Sequence, residues 1–456
     1  MQQHTSGTNI EHLIEGDVNV TPARGQWNSF VDNQEVKELL DKDAKYFLHQ
    51  SMSTPCLDAL KRCEGPYIES VSGKKYLDFH GNNVHQIGFS HPKLISRLKE
   101  QLQDLTFSTR RYTNEVAVAF AEKLVSVTPN GLNKVLLTPN GSSAVGIALK
   151  LARAVTGKYK VVSFWDSFHG ASLNVVGVSG ESVFREHMGP LILGVVRIPP
   201  PITYRGIYEG REEKALEYLE YVLSKDNQIG AFLAETIRNT DVQIPSQQFW
   251  QEARKLCDKY NVLLILDEIP IALGRTGKLF AFEHFGIEPD ILCLGKGLGG
   301  GIVPQAAIVT REEYNAFQHI SLGHYYTHEK SPMGAMAGLT VLQIIQDENL
   351  LEKTLHFEKY MKSALFKMQR KYSLIGDVRG IGLLWGIELV TNRTSKEPAI
   401  VEAEEIMYGC LRNGLNFKVS KGNVIQLSPA LTISEEELQD ALKILNEAFL
   451  KINTIA

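Results

Sequence analysis

Six short apolar runs punctuate the middle of the chain, at 134–137, 161–164, 230–234, 262–266, 291–294 and 305–309, with helical patterns between several of them. Between the third and fourth, Phe249, Trp250, Ala253, Leu256, Cys257 and Tyr260 recur at helical spacing on one face. Strands that alternate with helices imply an α/β fold with a mainly parallel sheet covered on both faces. The ends of the chain read differently. Residues 1–50 are polar, with one short helix expected at 34–49, and 67–78 reads as a hairpin turned at Gly73. After Pro332 the pattern is long helices to Tyr372, strand-like 380–390 and 424–427, and a last helix opened by a Ser434-x-x-Glu437 capping box. The expected division is an arm and part of a smaller domain at 1–78, a large domain at 79–335, and a C-terminal small α+β domain at 336–456.

A chain of 456 residues is long enough for two or three domains at about 150 residues each. Its 48 Lys+Arg against 52 Asp+Glu give a net charge of −4, with no basic stripe for a nucleic-acid backbone and no polybasic membrane patch. Five scattered cysteines without a Cys-x-x-Cys pair fit reduced thiols better than disulfides or a metal site. Residues 1–20 lack a signal-peptide pattern, and the densest apolar stretch, 262–266, is far too short to span a bilayer. We expect a cytoplasmic protein that binds no metal, nucleic acid or membrane.

The chemistry concentrates in Asp267-Glu-Ile-Pro-Ile-Ala-Leu-Gly-Arg-Thr-Gly277 and Pro289-Asp-Ile-Leu-Cys-Leu-Gly-Lys-Gly-Leu-Gly-Gly-Gly301. Asp267 ends an apolar strand, where an open α/β sheet presents its ligand crevice. Lys296 follows a second buried run among glycines, and desolvation there lowers a lysine's pKa toward a nucleophilic amine. Singly, each also reads as a helix cap or a solvated loop charge. Gly295-x-Gly297-x-x-Gly300 matches a dinucleotide fingerprint only in letters, because a strand and not a helix follows it. Thr138-Pro-Asn-Gly-Ser-Ser143 lies between a strand and a helix, where Gly141 and Ser142 could seat a phosphate or simply belong to an N-cap. Phe168, also just after a strand, is a core ring or a stacking ring.

These segments resemble the class III aminotransferases, which are fold type I pyridoxal 5'-phosphate enzymes, over roughly residues 60–450. The resemblance implies a seven-stranded, mainly parallel sheet in the large domain, and a homodimer with shared active sites. It implies that Lys296 forms the Schiff base with the cofactor, that Asp267 pairs with the protonated pyridine nitrogen, and that Gly141 and Ser142 hold the phosphate. It further implies that Phe168 stacks on the ring, that Glu235 lies near it, and that Thr327 reaches the phosphate of the neighbouring subunit. The chain departs from the family pattern at Ser143, Pro270 and the pair Glu329-Lys330. It departs most tellingly at Gln426, where many relatives carry an arginine for a substrate α-carboxylate.

Asn82-Asn83-Val84 and Thr203-Tyr-Arg-Gly206 resemble the phospholyase branch, whose neighbour acts on 1-hydroxy-2-aminoethylphosphonate. The implied activity is a lyase on a small amine bearing a phosphonate or phosphate, with the (R)-hydroxyphosphonate giving phosphonoacetaldehyde and ammonia. The alternatives are an aminotransferase, a phospholyase on an amino-alkyl phosphate, and a cofactor-binding protein without turnover. Arg110, Arg205, Arg238 and Lys330, with Gln426, are the candidates for the substrate end; taken singly, each cation reads better as a solvated surface charge.

Overall fold

The computed structural model describes residues 22–48, 56–316 and 326–453, so the expectation for residues 1–20 falls outside the described residues. Strands β1 (Leu60–Glu64), β2 (Tyr67–Ser70) and β3 (Lys75–Asp78) run antiparallel in succession, and Gly73 makes the second turn with φ +84°. A strand from the C-terminal part of the chain, Leu415–Asn416, extends this sheet by pairing parallel with β3. Two helices precede it, Pro22–Phe30 and Gln34–Tyr46, where the sequence suggested one. The first is nine residues long and includes Gly25 and Asn28, weak helix formers. Burial holds it instead: Trp27 is enclosed against Tyr76 and Tyr408, and its indole N–H donates to the Leu57 carbonyl at 2.8 Å.

The central sheet contains β4 (Lys134–Thr138), β5 (Lys160–Phe164), β6 (Val195–Ile198), β7 (Ile229–Glu235), β8 (Leu263–Asp267), β9 (Ile291–Leu294) and β10 (Ala306–Thr310). Its spatial order is β4-β10-β9-β8-β7-β5-β6, and β10 alone runs against its neighbours. Every residue of β7, β8 and β9 is buried, as a sheet covered on both faces requires. The helix Gln247–Tyr260 buries Phe249, Trp250, Ala253 and Cys257, the face its spacing marks, and Ser246 caps it by accepting the Phe249 N–H at 3.1 Å. The sequence gives no warning of β6, a four-residue edge strand interrupted by Arg197.

The remaining strands are β11 (Ile375–Ile381), β12 (Leu384–Asn392), β13 (Glu397–Pro398), β14 (Leu415–Asn416), β15 (Lys418–Ser420) and β16 (Val424–Leu427). They form the order β11-β12-β16-β15, with β13 on β12 and β14 in the first sheet. The single strand expected at 380–390 is in fact the turn and second half of a hairpin. Ile381 pairs with Leu384, and Gly382 turns the chain at φ +58°. The turn escaped notice because its other residue, Leu383, is a buried apolar side chain rather than a polar turn former. The long helices are Pro332–Asp347 and Leu350–Lys371. The last helix, Glu435–Asn453, carries the expected box: Ser434 N–H donates to Glu437 at 2.8 Å, and Glu437 N–H donates to the Ser434 hydroxyl at 3.2 Å. Among the described residues, no helix is long and apolar enough to cross a membrane, and no cluster of His, Cys, Asp and Glu could hold a metal.

Candidate active site

Strands β4, β5, β7, β8 and β9 are mutually parallel, so their carboxyl ends open on one edge of the sheet, where such folds bind ligands. Glu235 ends β7, Asp267 ends β8, and the two are register partners. Lys296 follows β9 by two residues, Phe168 follows β5, and Gly141 opens the helix after β4. Lys296 begins a 3-10 turn with its own backbone in the left-handed region, φ +47°, an uncommon state for a residue with a side chain. Beside this turn packs the turn Gly81–Asn83, in which Asn82 and Asn83 are also left-handed, at φ 45° and 57°.

Asp267 is buried and fully engaged on the protein side. One carboxylate oxygen accepts the Ile269 N–H at 3.1 Å; the other lies 2.8 Å from Nδ1 of His169. A carboxylate can only accept, so His169 donates from Nδ1. This histidine is fully enclosed, and its backbone N–H donates to the Ser179 hydroxyl at 2.9 Å. Glu235 is also buried, accepting the Phe168 N–H at 3.1 Å and the Asn239 N–H at 2.9 Å. Burial pushes the Glu235 carboxyl up, and the neighbouring Asp267 charge adds to that. Burial likewise draws the Lys296 ammonium down, while Asp267 and Glu235 pull it partly back. The outcome is a lysine that gives up its proton more readily than one in water.

The phosphate-seat segment forms a true helix start. Asn140 caps Gly141–Thr156 by accepting the Ser143 N–H at 2.9 Å, and the amides of Gly141 and Ser142 lie in the first turn, where helix geometry provides no intrahelical acceptor. Gly170 has φ +122°, and a Cβ there would lie 2.4 Å from the Ser142 hydroxyl. Only glycine therefore lets the Phe168–Gly170 loop close over the helix start. The Phe168 ring packs against Phe184 with centroids 4.8 Å apart.

Gln426 is buried in β16 and joins the site at one remove. Its amide donates to the Asn239 carbonyl at 2.9 Å and to the Asn239 side chain at 3.0 Å, and Asn239 in turn donates to Glu235. The candidate cations are placed otherwise. Arg238 is buried against Asp241, donating at 2.6 Å from Nε, with Asp166 at 3.5 Å. Arg205 is bonded to Glu388 and to Asn423. Arg110, Thr327 and Lys330 are exposed, the first on the loop before Glu115–Val127 and the others on the turn before Pro332–Asp347. Asn114 anchors the latter turn by donating to the Lys330 carbonyl at 3.1 Å.

Sequence reasoning singled out Phe168 but not its neighbour His169, which the fold brings to Asp267. The only available signal was a histidine directly after an apolar strand, next to a ring already singled out.

The edge thus offers an amine of lowered pKa, a buried carboxylate held in orientation by a histidine, and helix-start amides suited to an anion. That donor set fits pyridoxal phosphate, which carries an aldehyde, a basic ring nitrogen and a phosphate. The sequence profile described as "Aminotransferase class-III" matches residues 49–449. The (R)-1-hydroxy-2-aminoethylphosphonate ammonia-lyase of Vibrio splendidus is 52% identical over 456 residues, covering 96% of this chain and 95% of its own. An alanine/serine racemase of Pyrococcus horikoshii is 32% identical, covering 90% of each chain. Among solved structures, a transaminase from the marine bacterium Virgibacillus superposes with a TM-score of 0.86 at 26% identity, covering 91% of this chain and 99% of its own. An amine transaminase from an uncultivated Pseudomonas species, solved in its PLP-bound form, gives 0.84 at 27% identity, covering 89% and 98%. A profile that spans most of the chain, and a relative that shares half its residues, show that this protein belongs to the class III aminotransferase family, with its fold type I α/β architecture.

Proposed function

We propose that the protein is a pyridoxal-phosphate-dependent ammonia-lyase that converts (R)-1-hydroxy-2-aminoethylphosphonate to phosphonoacetaldehyde and ammonia. The observation that carries this reading is the near-full-length 52% identity to a relative with that activity. The commitment of Gln426 supports it. A transaminase site that accepts a 2-oxo acid favours a guanidinium fork against the carboxylate. Here the residue at that place is a neutral amide whose N–H groups are already spent on Asn239.

The bound cofactor supplies an aldehyde carbon for the substrate amine and a ring that takes up an electron pair. Each residue at the sheet edge then has a task. The Gly141 and Ser142 amides would receive the phosphate and Phe168 would cover the ring, while Glu235 fixes the loop that carries Phe168. Asp267 would hold the ring nitrogen's proton, with its carboxylate fixed by His169. Lys296 would hold the cofactor, and its amine, of lowered pKa, would serve as the base for the proton on the substrate carbon that bears nitrogen. Hydroxide departs from the adjacent carbon, and water re-enters as ammonia is released. Substrate and summed products are therefore isomeric, and no oxidant or keto acid is consumed. The exposed Thr327 would serve the phosphate of a second subunit in a homodimer. Five free thiols fit a location in the cytoplasm.

His169→Phe removes the donor to Asp267 while filling the space. A hydrogen bond to a charged group is worth about 1.5–3 kcal/mol, so kcat should fall roughly 10- to 100-fold with the cofactor still bound. Unchanged kcat would show that Asp267 needs no such support. The proposed activity itself is tested by adding pyruvate or 2-oxoglutarate with the hydroxyphosphonate. No amino acid should form, and 2-aminoethyl phosphate should release no phosphate. Amination of either keto acid would make the protein a transaminase; phosphate release would make it a phospholyase.

A further inference from the structure

The loss of an arginine at Gln426 leaves open what receives the substrate's anionic end, and the strand beside it supplies an answer. β15 and β16 pair antiparallel with Lys418 directly opposite Gln426. Directly opposed residues of such a pair project from the same face of the sheet. The Gln426 side chain runs from that face to Asn239, and Asn239 leads to Glu235, the register partner of Asp267. Lys418 is therefore set on the face that meets the catalytic edge, on a strand rather than on a mobile loop.

We propose that Lys418 receives the phosphonate of the substrate and so determines the specificity of this site, an inference that rests on the aminophosphonate reading above.

A further observation agrees. The Lys418 charge acts on Lys296 and on Glu181, a buried acid to which the Thr240 hydroxyl donates at 2.9 Å. Chemistry also favours lysine. A phosphonate presents three tetrahedral oxygens and up to two charges, and a half-buried ammonium on a flexible stem can turn its three donors toward them. A substrate whose amine is two carbons from phosphorus would need this cation close to Lys296.

The test uses the holoenzyme and two probes: 2-aminoethylphosphonate, which lacks the leaving hydroxyl, and propylamine, which lacks the anion. Both are titrated by the change in cofactor absorbance. The wild-type protein should bind the phosphonate at least roughly tenfold more tightly, the scale of one charge-assisted hydrogen bond. Lys418→Met should abolish that preference and Lys418→Arg should keep most of it, with unchanged circular dichroism in both. With the hydroxylated substrate, the loss in Lys418→Met should fall on KM more than on kcat. Equal preference in wild type and Lys418→Met, or no preference in wild type, would overturn the proposal. If the preference behaves as expected but the hydroxylated substrate yields no ammonia, the phosphonate seat stands and the lyase reading fails.

Discussion

Lys296→Ala should lower turnover by about four orders of magnitude, the upper end of what a positioned acid–base group contributes. On the roles proposed for Lys296, alanine would remove the attachment point of the cofactor and the base at the same time. The backbone adds a second consideration, because Lys296 occupies a left-handed conformation at φ +47° that alanine also disfavours. Lys296→Arg separates the effects. Arginine matches lysine in length and suits that backbone no better, yet it stays charged and can neither bond the aldehyde nor accept a proton. Both variants should be equally inactive and should fold with the circular dichroism of the wild type. Borohydride reduction of the wild-type holoenzyme should place the cofactor's mass on the peptide that contains Lys296. A label on another lysine, or substantial turnover in either variant, would remove Lys296 from the centre of the chemistry.

Asp267→Asn should lower turnover roughly 10²- to 10³-fold while cofactor binding survives in part, the loss expected when one preorganised electrostatic group is removed from a buried site. The substitution keeps the shape of the side chain but not its charge. It also unbalances two hydrogen bonds, since His169 Nδ1 and the Ile269 N–H donate to different oxygens of Asp267, and an amide has a single carbonyl to offer. Opposite charges favour one another's charged forms, so without the carboxylate the ring nitrogen keeps its proton less readily. The absorbance of the bound cofactor, titrated against pH, reads that change independently of turnover. A variant with near wild-type kcat would show that the carboxylate is not needed for the ring to take up electrons.

Much of this site could be read from the chain because an α/β sheet carries its functional residues at predictable places. The apolar runs that became β7, β8 and β9 end at Glu235, at Asp267 and just before Lys296, so locating the strands located the edge. What was hidden depends on contacts between distant segments. The His169–Asp267 bond joins residues 98 apart in sequence and exists only because β5, β7 and β8 lie side by side. The same holds for the arginines. The sequence shows the charges of Arg205 and Arg238, whereas the fold supplies Glu388 and Asp241 as their partners. Lys418 went unnoticed for the same reason: nothing in its neighbourhood in the chain indicates that it faces Gln426 across a ladder. The helix Pro22–Phe30 escaped because it is held by buried Trp27 and not by its own propensity.

The account stands most directly on what the purified holoenzyme does with (R)-1-hydroxy-2-aminoethylphosphonate when no keto acid is present. Ammonia and phosphonoacetaldehyde should appear in equal amounts through many turnovers, with no inorganic phosphate and with the cofactor's absorbance unchanged at the end. A single turnover that stops until pyruvate or 2-oxoglutarate is added, with the amino group recovered on the keto acid, would contradict it.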